Sequence, residues 1–273
     1  MSFQLWLADA LAEAGWRLLP AMHARVRENV RHVLGVEASK QDVDRMARQS
    51  WRNYLRYLRE FVSIPNWKRD QIEVVARAIE GWEHVREAMS HGRGAVVVSA
   101  HFGNWDMAAA IGARAYRVNV LADTFSSQRL DKLVNSFRTA LGIQVIPVER
   151  ALKRTLTALK RGEAVAFLVD KPVGKNGVVV NFFGHPVQVP GGAGFFAVKA
   201  GAPILPAFVW RNRDNSYSGR VLPPIYSEPS GDMERDVRSV MERVMSAIEE
   251  MVRARPEHWY MFRRMWREEA AVA

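Results

Sequence analysis

Short apolar runs alternate with amphipathic segments along the chain from Gly94 onward. Gly94–Ala100 reads GAVVVSA, a β-branched run typical of a strand buried on both faces of a parallel sheet. The same pattern predicts further strands at 117–122, 143–148, 164–169, 178–183, 203–210 and 217–222. Amphipathic segments predict helices at 105–115, 126–141, 152–160, 192–200 and 233–253. Strands that alternate with helices of this length predict an α/β fold, with a mainly parallel central sheet flanked by helices.

The first 90 residues carry a helical pattern instead. Apolar side chains recur at helical spacing between Trp51 and Phe61. A second face of that helix carries Arg45, Arg48, Arg52, Arg56 and Arg59. This face is either solvated or in contact with lipid headgroups or donor phosphates, and we favour contact because close arginines repel one another unless an anion compensates. No linker divides the chain, so we predict one domain over 1–273, with a helical subregion at 1–90 and an α/β core at 91–273.

The N-terminal segment from Phe3 to Leu19 also has helical periodicity. Its apolar positions are Phe3, Leu7, Leu11, Ala14 and Leu18. Such a helix either packs on its own domain or lies in a membrane interface, with Trp6 and Trp16 at headgroup level. No apolar run reaches the ~18–20 residues that a membrane span needs, so we expect a peripheral protein.

Composition narrows the classes of partner. Apolar residues make up 48% of the chain, which is typical of a globular protein. The absence of cysteine excludes disulfides, thiolate metal sites and an acyl-cysteine intermediate. The net charge of +10 indicates either an Arg-rich surface or an anionic partner, such as nucleic acid, a membrane surface or a phosphorylated cofactor.

The segment His101-Phe-Gly-Asn-Trp-Asp106 directly follows the Gly94–Ala100 strand. Ligand sites of α/β sheets gather at the carboxyl ends of strands. Asn104 is a candidate N-cap for the next helix. If the chain bends at Gly103, Asp106 can hold one imidazole nitrogen of His101 and leave the other free as a base. The alternative is a capping aspartate and an unrelated hydrogen-bonded histidine. Asp170 ends the 164–169 strand and is expected at the same sheet edge.

Several other classes lack their signatures. There is no Gly-x-Ser-x-Gly elbow, Walker loop, dinucleotide glycine fingerprint or His-Glu-x-x-His. A basic nucleic-acid-binding protein without catalysis remains an alternative, although no zinc-finger spacing, RNA-binding aromatic signature or obvious helix-turn-helix supports it.

The His-x4-Asp motif resembles that of the glycerolipid acyltransferase superfamily. Ser99-Ala-His-Phe-Gly-Asn-Trp-Asp106 resembles the branch of lipid A late acyltransferases and phosphatidylinositol mannoside acyltransferases. The likeness continues over most of the chain, in Asn181–Gly184, Pro190–Gly194, Gly201–Pro206 and Pro256–Phe262. Much of the lipid A branch has Glu where this chain has Asp106, which favours a mannoside or other glycolipid acyltransferase.

The resemblance implies a function for each part of the site. His101 would be the general base and Asp106 its partner, while Arg138 and Asp170 match further functional polar positions. The donor would be acyl-CoA or acyl carrier protein, the acceptor a hydroxyl of a membrane glycolipid, and no metal or cofactor would be needed. The protein would act at the cytoplasmic face of the inner or plasma membrane, on an anionic surface and without nucleic acid.

The substrate-binding residues are expected around this pair. Arg138 either binds a phosphate of donor or acceptor or is a surface charge, and Asn104 and Asp170 are expected to line the site. Backbone N–H groups of Gly191, Gly192 and Gly194, at a helix start, are candidate oxyanion donors. The alternative is that these glycines permit a tight loop and close packing. His185 is expected to serve a turn with Pro186.

Overall fold

The computed structural model describes residues 3–63, 66–173 and 177–266. Its helices are α1 Phe3–Leu18, α2 Pro20–Leu34, α3 Lys40–Ser63, α4 Arg69–Arg77, α5 Trp82–Ser90, α6 Trp105–Gly112, α7 Gln128–Ala140, α8 Ala151–Lys160, α9 Gly192–Ala200 and α10 Met233–Ala254. Its strands are β1 Ile79–Glu80, β2 Ala95–Ser99, β3 Val118–Ala122, β4 Gln144–Pro147, β5 Ala164–Leu168, β6 Val178–Phe182, β7 His185–Val189, β8 Ile204–Arg211 and β9 Tyr217–Val221.

Seven strands form the central sheet in the order β1-β9-β8-β2-β5-β3-β4. The strands from β8 to β4 are parallel, whereas β9 runs antiparallel to β8 and β1 pairs parallel with β9. The predicted α/β class with a mainly parallel sheet is therefore confirmed. Because β2 and β5 are neighbours in register, from Ala95↔Ala164 to Ser99↔Leu168, their carboxyl ends meet at one point of the sheet edge.

The two faces of β2 have different surroundings. Val96, Val98 and Ala100 enter the main hydrophobic core, which α9, α10 and part of α8 build. Val97 and Ser99 point to the other face, beneath α5 and α6, and line a cavity there. Successive side chains of a strand alternate between faces, so a single strand contributes both to the packed core and to the cavity wall.

Two strands were not predicted from the sequence. Ile79–Glu80 lies in the region expected to be wholly helical, yet it pairs with β9 and extends the central sheet. A two-residue strand carries no measurable alternation, which is why the pattern missed it.

His185 does not serve a turn with Pro186, because Phe183 and Gly184 adopt positive φ values and form the turn themselves. His185 then begins β7, which pairs with β6 as a separate hairpin.

The N-terminal helix α1 does not bury the described part of its predicted apolar stripe. Ala12 and Trp16 are buried in a cluster with α2 and α3, whereas Leu11 and Leu18 are exposed. Of the predicted apolar stripe, Phe3 and Leu7, together with Trp6, have side chains outside the described residues. The described part of the stripe therefore faces solvent, and no helix among the described residues has the length and hydrophobicity to cross a membrane.

The arginine face of α3 is compensated within the chain. Arg56 donates two hydrogen bonds of 2.8 Å to Asp9, and Arg52 donates one of 2.7 Å to Glu13. Arg48 also lies 3.8 Å from Glu13. The carboxylates of Asp9 and Glu13 thus provide the negative charge that was expected from a lipid or a donor phosphate. This explains how the three arginines can share one helix face.

Candidate functional site

His101 lies just past the carboxyl end of β2, where the backbone turns sharply. Gly103 has φ of +58°, and a Cβ there would lie 2.0 Å from the Val209 carbonyl oxygen, so only glycine fits. The C-terminal segment fixes the turn: Gly103 N–H donates to the His258 carbonyl and Tyr260 N–H to the His101 carbonyl. The predicted bend at Gly103 is present, and α6 begins directly after it, at Trp105.

The imidazole of His101 is held by Asp170 and not by Asp106. The His101 Nδ1 atom lies 2.8 Å from Asp170 Oδ1, and the His101 backbone N–H donates to both Asp170 oxygens at 2.9–3.0 Å. An ionised carboxylate only accepts, so Nδ1 carries the proton and Nε2 is left as the basic nitrogen. The side chain of His101 keeps 32% of its exposure, so the ring is open to a substrate.

Asp170 is fully buried at the end of β5. Besides His101, the indole N–H of Trp259 donates to Asp170 Oδ2 at 2.9 Å. Burial by itself would raise the pKa of Asp170, but the neighbouring imidazole and these donors outweigh it and hold the pKa below its usual value. The carboxylate therefore stays ionised in an apolar environment. Trp259 was not predicted as a site residue, because no local spacing relates it to Asp170.

The same contact sets the charge state of His101. Partial burial favours the neutral imidazole, yet the charge of Asp170 and its hydrogen bond prevail and raise the pKa of His101 above its usual value. Lys171 and Arg263 oppose this rise from farther away. The base is thus made stronger while it remains able to titrate.

Asp106 occupies a separate buried network. Its Oδ2 accepts a hydrogen bond of 2.7 Å from the Tyr57 hydroxyl, and its Oδ1 accepts one of 2.9 Å from Arg138 Nε. Among the described residues, the Asp106 carboxylate makes no hydrogen bond or ion pair with His101. The predicted His101–Asp106 contact is therefore wrong. The bend at Gly103 places Asp106 in the first turn of α6, where α3 and α7 meet it.

Arg138 and Asn104 are also drawn into internal contacts. Arg138 is only 15% exposed and lies over the ring of Phe61. Burial by itself would lower the pKa of Arg138, but the Asp106 carboxylate outweighs it and raises that pKa. Asn104 caps α6 by accepting from Met107 N–H, as predicted. Its amide donates to Glu60, and the side chain is buried. Both polar ends of Asn104 are thus occupied within the protein, and its contact with substrate stays a prediction.

A second buried polar cluster adjoins Asn104. Glu60, which receives the Asn104 amide, forms an ion pair with Arg211. His258 lies beside them, and burial together with nearby Arg255 lowers its pKa to about 3. A neutral His258 adds no further positive charge to the cluster. The turn at Gly103 is thus held by a network in which His258 stays neutral near pH 7.

A cavity lies between the sheet and the helices α5 and α6. Its solvent-accessible volume is about 140 Å³, and it is partly open to solvent. Its wall is largely apolar, and small residues on facing elements create the space: Ala108, Ala109 and Gly112 of α6, Ala164 and Ala166 of β5, and Ala207 of β8. Trp105 lines this cavity, and its ring packs against that of His101 with centroids 5.5 Å apart. Trp105 therefore contacts the imidazole and lines the cavity, while His101 itself is not among the lining residues.

The three candidate oxyanion glycines stand at the start of α9. A Cβ on Gly194 would lie 2.9 Å from Met241, and one on Gly191 would lie 2.6 Å from Val178. Close packing explains these two glycines. A Cβ on Gly192 would meet nothing within 4 Å, so packing does not account for that position. The oxyanion role of these glycines stays a prediction.

Residues 4–268 match the family model described as bacterial lipid A biosynthesis acyltransferase. The phosphatidylinositol mannoside acyltransferase of Mycobacterium tuberculosis H37Rv is 28% identical over 248 residues, which cover 89% of this chain and 76% of that protein. The protein of the same name from strain CDC 1551 has the same identity and coverage. The phosphatidylinositol mannoside acyltransferase of Mycolicibacterium smegmatis is 27% identical over 280 residues, which cover 93% of this chain and 89% of that protein.

Removing one partner of the Asp106–Arg138 pair is expected to destabilise the protein more than removing both. Asp106→Leu or Arg138→Met alone leaves one nearly buried charge unpaired, which typically costs ~3–5 kcal/mol of unfolding free energy. In the double variant Asp106→Leu with Arg138→Met, no charge is left stranded and the loss is expected to be smaller. Urea unfolding of both single variants and the double variant measures the coupling.

The exposed Arg27–Asp44 pair is the matched control. Its coupling free energy is expected to be ~0–1 kcal/mol, because solvent screens both charges. Additive losses at Asp106 and Arg138 would contradict the buried pairing.

Proposed function

Because this chain belongs to the bacterial lipid A biosynthesis acyltransferase family, we propose that it moves a fatty acyl chain from acyl-CoA or acyl carrier protein to a hydroxyl of a membrane glycolipid. The chain is a lipid acyltransferase, and that activity requires an acyl donor and a lipid acceptor. The relatives named above act, by their names, on phosphatidylinositol mannosides, so an acceptor of that kind is the first to test. The observation that carries the proposal is the half-buried His101 ring, which buried Asp170 fixes and which packs against Trp105 of an apolar cavity.

His101 acts as the general base. Its Nε2 takes the proton of the acceptor hydroxyl while the oxygen attacks the thioester carbonyl carbon. The tetrahedral intermediate then collapses, the C–S bond breaks, and the imidazolium returns the proton to the departing sulfur. The new C–O ester bond replaces the thioester, and His101 is neutral again. General base catalysis of this kind contributes ~10²–10⁴-fold.

Asp170 positions the base. Its contact with Nδ1 fixes the tautomer in which Nε2 is unprotonated, and its charge stabilises the imidazolium that forms during attack. Asp106 instead holds α6 and α7 together through Arg138 and Tyr57. We therefore assign Asp106 a positioning role at the cavity wall. Arg138, which lines the same cavity, is assigned to the wall and not to free phosphate binding.

The cavity beneath α5 and α6 receives the acyl chain. Its wall is mostly apolar, as in most pockets that take an apolar ligand. Transfer of apolar surface from water to such a wall is favourable by ~25 cal/mol per Å². The depth of the cavity then limits the length of acyl chain that is accepted.

Replacing His101 is expected to abolish transfer without unfolding the protein. His101→Ala removes the base, so kcat should fall at least ~100-fold, while the two backbone donations to Asp170 remain. Mass spectrometry of the acylated lipid and colorimetric detection of the released thiol measure turnover. His91→Ala, at an exposed histidine, is the control. Turnover of purified, folded His101→Ala at the wild-type rate would exclude the assigned base.

Asp170→Asn is expected to move the acidic limb of kcat/KM to lower pH. The base works only when neutral, and the Asp170 charge raises the pKa of His101. Removing that charge therefore lowers the pKa, so the base is free at lower pH, while the lost orientation lowers the plateau rate. The pH profile of kcat/KM and NMR titration of the His101 ring measure the shift. Asp214→Asn, at an exposed position of the β8–β9 turn where the carboxylate accepts from Ser216, should leave both unchanged. If the acidic limb of kcat/KM does not move in Asp170→Asn, the positioning role of Asp170 is contradicted.

Ala166→Phe is expected to shorten the preferred acyl chain. Ala166 lies midway along β5 in the cavity wall, so a phenyl ring there obstructs the deeper part. Turnover of long-chain donors should fall at least tenfold relative to short-chain donors, in competition assays read by mass spectrometry. Ala115→Phe, at an exposed position after α6, adds the same ring outside the cavity. Equal losses for all chain lengths would place the acyl chain elsewhere.

A further inference from the structure

Large apolar side chains are exposed where β3 and β4 end. Five of them, each at least 43% exposed, form what is here termed the edge patch: Phe125, Leu130, Leu133, Val148 and Leu152. Phe125 follows β3 and Val148 follows β4, while the three leucines lie on α7 and α8. Exposed apolar groups gathered on one side of a protein mark a contact surface.

The edge patch is continuous with the catalytic residues. In the sheet, β3 lies next to β5 and β4 lies next to β3, so all these loops leave the same edge as His101 and Asp170. Lys171, directly after Asp170, forms an ion pair of 2.8 Å with Asp123. Thr124 then donates to Glu149 at 3.0 Å and joins the two loops. A surface that docks on the edge patch therefore faces the opening at His101.

The helix α7 contributes to this surface in an unusual way. No residue of α7 is buried, although the helix is amphipathic and has an ordinary Ser127 cap. Leu130 and Leu133 face solvent, and Arg138 at its other end is paired with Asp106. Its N-terminal half thus presents apolar side chains that the protein itself leaves uncovered.

Positive charge surrounds the edge patch. Residues 123–161 contain eight arginines and lysines and three acids, a net charge of +5 out of +10 for the chain. The three acids are engaged locally, Asp123 with Lys171, Glu149 with Thr124 and Asp131 with the Phe125 N–H. Within the described part of the chain, no carboxylate forms an ion pair with Arg129, Lys132, Arg150, Lys153 or Arg154.

We propose that the edge patch and its surrounding cations dock on the headgroup region of an anionic lipid bilayer. This inference rests on the proposed function, since a lipid acceptor can reach His101 without leaving the bilayer only if this edge of the sheet faces it. The apolar tips enter the interface while the cations meet anionic headgroups. An acidic carrier protein would also suit the charge. A bilayer fits better because the apolar tips are spread over two loops and two helices.

Vesicle sedimentation tests the surface without turnover. The full-length protein is mixed with phosphatidylcholine vesicles, or with vesicles that also contain phosphatidylglycerol. Wild type should bind the anionic vesicles more tightly. Leu130→Glu with Leu133→Glu should weaken that binding at least about tenfold, and Lys153→Glu with Arg154→Glu by a similar factor, since each cation near such a surface contributes appreciably. Circular dichroism checks that each variant is folded.

Two other surfaces serve as comparisons. Val36→Glu with Val74→Glu changes two exposed valines elsewhere and should leave binding unchanged. Leu11→Glu with Leu18→Glu changes the exposed stripe of α1. The proposal is overturned if loss of binding follows the α1 variant and not the α7 variant, or if wild type does not bind anionic vesicles. It is equally overturned if the Lys153 and Arg154 changes weaken capture of acyl carrier protein but not of vesicles.

The inference and the proposed function fail in different ways. His101→Ala should bind vesicles as wild type does, because His101 lies outside the edge patch. If His101→Ala is inactive while Leu130→Glu with Leu133→Glu still binds vesicles normally, only the membrane surface is wrong. If His101→Ala remains active, the catalytic assignment is wrong whatever the vesicles show.

Discussion

The buried carboxylate of Asp170 is the constraint on which the active-site region depends. An ionised group with no exposure to solvent is tolerated only when donors surround it. Here the donors are the backbone and ring of His101 and the indole of Trp259. Those donors come from the end of β2 and from the C-terminal segment, while Asp170 itself ends β5. One charge therefore fixes three distant parts of the chain and at the same time orients the base.

The two faces of the central sheet are packed to different extents. One face is closed by α9 and α10, with methionines and aliphatic side chains filling the core. The other face is covered by α5 and α6, whose small residues oppose alanines of the sheet and leave space. Protein interiors are normally packed to high density, so the space left on this face is an exception within the fold. Trp105 lines this space and also packs against the His101 ring.

The distribution of charge separates structural from functional cations. On α3 the arginines are neutralised by Asp9 and Glu13 of α1, so a face that looks like an anion site in sequence is an interhelical contact. Around β3 and β4, by contrast, the few acids are engaged by local partners and the cations face solvent. The net charge of +10 thus includes solvent-facing cations around β3 and β4, whereas Arg52 and Arg56 of α3 are neutralised by α1.

The sequence by itself determined the elements, the fold class and the position of His101. Strand and helix periodicities depend on neighbours a few residues apart, and a β-branched run ending in His101 can be read locally. The bend at Gly103 was also readable, because glycine before a capping asparagine is a local signal. The two-residue strand β1 was not, since it is too short to show alternation.

Only the tertiary structure decided which carboxylate meets the imidazole. Asp106 is five residues from His101 and was the natural candidate, but Asp170, sixty-nine residues away, makes the contact. The order of strands in the sheet places β5 beside β2, and no local pattern encodes that order. The partners of Asp106, the donor Trp259 and the acids that neutralise α3 likewise come from remote segments. Local spacing therefore placed His101 at the end of a strand, whereas long-range packing selected the carboxylate that holds its ring.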